Sequence, residues 1–368
     1  MATRSTGGAT ARKRRAAIDD EGASGPALPT MALVPWFAVQ RDALAGTLGR
    51  IDTLAHAMLL AGAPGIGKAA YAGAFAAALL CEAATRAADG LACGQCDACR
   101  WFAAGSHPDA RLLTRTVDDK GKLRTEISID QVREIESFVA MGAYRSRKRV
   151  IIVDPAECLN QASSNALLKM LEEPGPGLHF LLVTHRPDRL PATVRSRCRR
   201  IDIPRPDEAA SLAWLMAGGR CGGDEQVARA ALSLAGGAPL HALTLAEPAA
   251  MTACRSWLAA IAQLPDTSIV AAAESLASAD IAIGQSLLQR WVVDLARVRV
   301  GVNPVYFPDS IDRLRALAAR CVPMRLAQAD AGLRRQAALT AHPLNARLFL
   351  EESCALYVDA FETARGAT

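Results

Sequence analysis

His56-Ala57-Met58-Leu59-Leu60-Ala61-Gly62-Ala63-Pro64-Gly65-Ile66-Gly67-Lys68-Ala69 is the stretch on which the reading of this chain turns. A short apolar run breaks into a glycine-rich turn, and the turn opens into a long alanine-rich segment with the look of a helix. Strand, glycine turn and helix in that order give G-x-x-x-x-G-K a physical meaning. The glycines let backbone N–H groups wrap phosphates, the helix N-terminus favours negative charge, and the lysine reaches the outer phosphates. Gly62, Gly65, Gly67 and Lys68 are therefore the expected phosphate contacts, against the plainer alternative of a glycine turn with no ligand. The next position, where a Ser or Thr hydroxyl would hold Mg²⁺, is Ala69, which carries no oxygen.

Working outward, Val150-Ile151-Ile152-Val153 and Phe180-Leu181-Leu182-Val183 are continuous apolar runs suited to strands buried on both faces of a parallel sheet. Ala110 to Leu113, Glu126 to Ser128 and Ile201 to Ile203 read as shorter strands. Asp130 to Met141, with Val132, Ile135, Phe138 and Val139 on one face, and Ala162 to Glu173, stopped by Pro174, read as helices. The alternation predicts an α/β domain with helices on both faces of a mostly parallel sheet. The strand from Val150 ends in Asp154, the pattern of a metal-contacting acid in a nucleotide site. A hydrolysing site would place a Glu directly after it, yet Pro155 and Ala156 follow and Glu157 comes two residues late. With two catalytic parts missing, the site is expected to bind ATP weakly or not at all.

Cys81, Cys93, Cys96 and Cys99 are spaced C-x₁₁-C-x₂-C-x₂-C. Four thiolates at short spacing fit a closed, structural tetrahedral Zn²⁺ site, the alternatives being unrelated reduced thiols or a redox pair. The remaining six of the ten cysteines are scattered and read as core fillers.

Composition bounds the rest. The 368 residues suggest two or three domains, and 51% hydrophobic with 21% charged is a globular balance. Lys+Arg 42 against Asp+Glu 37 leaves +5, too small an excess to argue for nucleic acid or a membrane surface. No apolar run reaches the ~18 residues of a membrane span, and no signal-peptide core follows the basic cluster Arg12–Arg15. A cytoplasmic location is expected. Residues 1–30 read as a flexible extension, with Met31 an alternative start. After Pro206 the pattern is helical, with Asp207 and Asp224 as caps, Gly218-Gly219 and Gly236-Gly237 as stops, and a long stripe Leu287, Leu288, Trp291, Val292, Leu295, Val298 ending at Gly301.

Taken in order, the glycine turn, the four cysteines, Ser106-His107-Pro108-Asp109, Ile129-Asp130-Gln131-Val132-Arg133, Asn165-Ala166-Leu167-Leu168-Lys169, Leu171-Glu172-Glu173-Pro174 and Arg195-Ser196-Arg197-Cys198 resemble one family: the delta-prime subunits of the bacterial DNA polymerase III clamp loader. The resemblance runs from about Pro35 to Phe361. It implies a P-loop AAA+ module over 31–205 with the zinc insert at 81–99, a helical lid over 206–250, and an all-α collar over 251–368. It implies a five-subunit ring with gamma/tau and delta, acting on the sliding clamp and primed DNA as part of the DNA-directed DNA polymerase III holoenzyme, a nucleotidyltransferase complex. Delta-prime is a stator with a degenerate site, whereas gamma/tau is an active ATPase. Lys68-Ala69, Asp154-Pro155 and the missing Arg in Gly236-Gly237-Ala238-Pro239-Leu240 match the former. In this family the Ser-Arg-Cys motif carries an arginine finger, which makes Arg197 the expected group acting on a neighbour's ATP. An active ATPase of the gamma/tau kind and a zinc-dependent DNA-binding protein are the competing readings.

Overall fold

The computed structural model describes residues 28–37, 54–83, 91–119, 121–145, 147–276, 281–337 and 345–361. The expected N-terminal extension lies outside the described residues as far as position 27. Of its last three residues, Leu28 lies half-buried on the core, and the carbonyls of half-buried Pro29 and exposed Thr30 lie against Gly73.

The sheet has five parallel strands, β1 (Ala57–Ala61), β2 (Ala110–Leu113), β3 (Arg149–Val153), β4 (Leu178–Thr184) and β5 (Arg199–Asp202), in the order β2-β3-β4-β1-β5. Strands β1, β3 and β4 are buried from end to end, which is why their sequences do not alternate. Period two still decides which face each side chain serves. Met58, Leu60, Val150, Ile152, Leu181 and Val183 share one core with helix α1 (Lys68–Leu80). Leu59, Ile151, Val153, Phe180 and Leu182 meet α3 (Ile129–Ala140) and α4 (Gln161–Glu172) on the other. The edge strand β5 is mostly exposed and begins with Arg199 and Arg200, charges that discourage further strand pairing.

Local chemistry sets the helix ends. Ser128 and Gln131 form a reciprocal capping box at the start of α3, and Asn160 accepts from Ser163 N at 2.9 Å at the start of α4. The expected strand at Glu126–Ser128 is one bridge, Ile127 to Leu159. Ser128 is committed to the cap, and Ile127 turns fully into the core, so the ladder cannot lengthen.

Short helices α2 (Asp97–Ala103) and α5 (Ala192–Ser196) complete the sheet region. Beyond β5 follow α6 (Glu208–Met216), α7 (Glu225–Leu234), α8 (Pro239–Leu245), α9 (Pro248–Gln263), α10 (Ile269–Leu276), α11 (Ile281–Arg299), α12 (Ile311–Arg320), α13 (Pro323–Gln336) and α14 (Ala346–Val358), with no further strand among the described residues. Asp207 and Asp224 cap α6 and α7 through their carboxylates. Helix α11 carries the buried stripe Leu287, Leu288, Trp291, Val292 and Leu295. Trp291 Nε1 donates to Tyr357 Oη at 2.9 Å, and the buried Asp294 accepts from the backbone of Val305, Tyr306 and Phe307 at 2.8 Å each. None of the helices among the described residues is long and apolar enough to cross a membrane.

Candidate functional site

The glycine turn leaves β1 and enters α1 with Gly65 at φ 72° and Gly67 at φ 92°, conformations that strain any other residue. Lys68 opens the helix and is only 3% exposed. Its ammonium donates to Gly62 O at 2.9 Å and Ala63 O at 2.6 Å, and meets His185 Nδ1 at 2.8 Å. A lysine has three N–H donors, and here three internal partners take them. Burial lowers the Lys68 pKa to about 8 against the opposing pull of Asp154 and Glu157. Burial likewise raises Asp154 to about 6, with Lys68 acting the other way, and lowers His185. Glu157, displaced by two residues, accepts from His185 N at 3.0 Å, and so ties the loop after β4 to the acid beyond β3. Thr184, at the end of β4, accepts from Arg186 N at 3.1 Å through its hydroxyl.

The turn is also covered from outside. Leu240 N at the start of α8 donates to Gly65 O at 3.0 Å, and Trp36 Nε1 donates to Ile66 O at 3.0 Å. A Cβ on Gly65 would lie 2.7 Å from His241 Cβ, and one on Gly67 would lie 3.0 Å from Val34 Cγ2. Trp36 packs edge-on against Trp214 of α6 at 5.3 Å, joining the N-terminal segment to the same cover. An incoming phosphate would have to displace partners that Lys68 already holds.

The four predicted cysteines come together, with their sulfurs all within 4.8 Å of one another. Cys81 and Cys96 are 4.0 Å apart at sulfur, and Cys93 and Cys99 are 3.9 Å apart. A tetrahedron with ~2.3 Å metal–sulfur arms has edges of about 3.8 Å, so the spacing suits a four-coordinate ion. Backbone N–H groups of Gln95 and Cys96 point at Cys93 Sγ at 3.4 and 3.3 Å, and draw that thiol down to about 6. Burial pushes the Cys81 and Cys99 thiols up, a penalty that a cation would offset.

Arg197 ends α5 just before β5, with its side chain 36% exposed. Its Nη1 donates to Thr193 O at 3.0 Å, and its Nη2 lies 2.5 Å from Glu172 Oε1 at the end of α4. It is remote in sequence from Gly62–Lys68 and makes no hydrogen bond or ion pair with that turn among the described residues.

Three residues carry weight that sequence reasoning missed. Glu172 sits in a motif recognised only as a pattern, and His185 had no assigned role. Asp109, fully buried, receives the N–H groups of Tyr144 and Arg145 at 2.6 and 3.0 Å. Arg145 then reaches Glu82 at 2.7 Å and Asp97 at 3.2 Å and lies over the Trp101 ring. Ser106–Asp109 is thus a clasp between the cysteine insert and the loop before β3. A lone buried acid has no periodicity by which a sequence would announce it.

Residues 45–207 match the family described as DNA polymerase III, delta subunit. The DNA polymerase III subunit delta' of Pseudomonas aeruginosa is 42% identical over 215 residues, 58% of this chain and 61% of the relative. The delta' subunit of Escherichia coli is 37% identical over 190 residues, 52% of this chain and 54% of the relative. The tau subunit of Escherichia coli is 35% identical over 157 residues, covering 43% of this chain and 22% of the relative. The chain spans between half and two thirds of the length of the delta' relatives.

Proposed function

We propose that this chain, whose residues 45–207 match the family described as DNA polymerase III, delta subunit, and which is similar to delta' subunits over 215 residues, is a non-hydrolysing clamp-loader stator that acts on a neighbour's nucleotide through Arg197. The observation that carries this reading is Lys68, whose three donors are held by Gly62 O, Ala63 O and His185. Beside it, Ala69 offers no hydroxyl to a metal, and Glu157, two residues late, accepts from the His185 backbone through Oε1. Such a site does not assemble the metal and the attacking water that phosphoryl transfer requires.

The chain then acts by what it presents outward. Sheet, lid and collar divide near 205 and 250, with helices α9 to α14 forming the oligomerising part, and gamma/tau and delta are the ring partners. The Arg197 guanidinium, planar and always charged, can contact a neighbour's γ-phosphate and stabilise charge developing on it. The ring would open the sliding clamp, place it on primed DNA and release it on hydrolysis. In the cysteine insert Zn²⁺ is the fitting ion, held by Cys81, Cys93, Cys96 and Cys99 in a closed structural role.

The similarity to tau over 157 residues makes an active ATPase the second reading. One experiment separates the two. The purified chain is mixed with candidate ring subunits, and ATP turnover is measured for the chain alone and for the ring with and without it. Background turnover alone, with stimulation of the ring, is the expected result; robust turnover by the isolated chain that Lys68→Ala abolishes would establish the second reading instead.

A further inference from the structure

We propose that Glu172 is the positioning residue of Arg197: it holds the guanidinium in a fixed plane so that the remaining N–H donors face outward before a neighbour's phosphate arrives. The inference rests on the reading of Arg197 as a group acting in trans, and deepens it.

Two anchors define the plane. Nη2 is held by Glu172 Oε1 at 2.5 Å from the end of α4, and Nη1 by Thr193 O at 3.0 Å from within α5. The carboxylate and the carbonyl come from different helices, so the pair is a tertiary contact and not a helical neighbour effect. A guanidinium has five N–H donors in a rigid fork; with Nη1 also 3.5 Å from Ser196 Oγ, three are engaged and two stay available on a side chain that is 36% exposed.

Stability is a poor explanation for this contact. Glu172 is 48% exposed, and exposed ion pairs contribute little to folding. Orientation is the better one. A free arginine has much rotamer freedom to lose when it engages a phosphate, and a group pre-set by its neighbours loses less. Glu172 does not touch the reacting atoms; it acts only through Arg197.

A double-mutant cycle in the assembled ring tests this. Four rings are built, carrying the wild-type chain, Glu172→Ala, Arg197→Ala and the double variant, and each is assayed for clamp- and DNA-stimulated ATP turnover after its assembly is verified by size. Misplacement of a catalytic group by about 1 Å can cost up to ~10²-fold, diluted here by the other fingers of the ring, so Glu172→Ala is expected to lower kcat by roughly three- to tenfold. In the Arg197→Ala background the same change is expected to do nothing further, because the residue it positions is gone. Glu172→Gln, whose amide oxygen can still accept from Nη2, is expected to restore most of the loss. Equal losses from Glu172→Ala in both backgrounds would assign it a purely structural role and overturn the proposal, as would no loss in the wild-type background. If Arg197→Ala itself leaves turnover unchanged, the reading beneath the proposal fails, and the proposal with it.

Discussion

Asp154, half-buried at the end of β3, and the buried Lys68 of the turn feel each other's charge, and their protonation is linked to folding. The Asp154 carboxyl is raised from 3.8 to about 6, first by burial, so between those values the folded chain keeps a proton that the unfolded chain has released. Stability from this group is present in full below pH 3.8 and is lost as pH rises through 6. Asn cannot titrate, so wild type should lose on the order of 1–2 kcal/mol relative to Asp154→Asn between about pH 4 and pH 7. Urea unfolding of both proteins across that range measures it, and parallel pH curves would remove the argument. Single residues were legible where a spacing encodes chemistry: Gly62 to Lys68 and the four cysteines are recognisable because turn geometry and metal ligation demand particular residues at particular intervals. His185, Asp109 and Glu172 were not, since each acts on a partner that only the folded chain brings near.

Elements were read well where burial is two-sided or capping is explicit. The apolar runs of β1, β3 and β4 and the caps Asp207 and Asp224 all appear where the pattern places them. Glu126–Ser128 failed because propensity alone cannot know that a strand's last residue is already serving as a helix cap. Two predictions belong to this scale. A Cβ on Gly284 of α11 would lie 1.9 Å from the Trp257 ring of α9, which is fully buried in the same core as Trp291. Gly284→Ala should therefore destabilise the helical region by about 2 kcal/mol or more, read as a lowered Tm; an unchanged Tm would mean that the two helices are less tightly fitted. The cysteine insert should carry about one equivalent of tightly held Zn²⁺ with sulfur ligation. Cys96→Ser should release it and loosen the link through Arg145, Glu82 and Asp97 while the sheet survives. Elemental analysis after preparation under reducing conditions, with amide exchange across the insert, checks both parts, and metal-free wild-type protein would end the assignment.

At the scale of the whole molecule, the glycine turn is closed over by α8 and the N-terminal segment, while Arg197, partly exposed and held by Glu172 and Thr193, lies between α5 and the charged edge strand β5. On the proposed reading, such a chain does no nucleotide chemistry at its own turn and acts through Arg197 instead. The division of labour proposed for a stator follows from that asymmetry. Arginine fingers in related NTPases contribute ~10³–10⁵ in rate, an effect diluted when several fingers serve one ring. The most direct measurement is ATP turnover by a reconstituted ring, stimulated by clamp and primed DNA, with the wild-type chain and with Arg197→Ala. Intact assembly, lowered turnover and slower clamp loading are expected, with only partial recovery in Arg197→Lys because an ammonium lacks the fork. Normal assembly with wild-type turnover and loading in Arg197→Ala would contradict it.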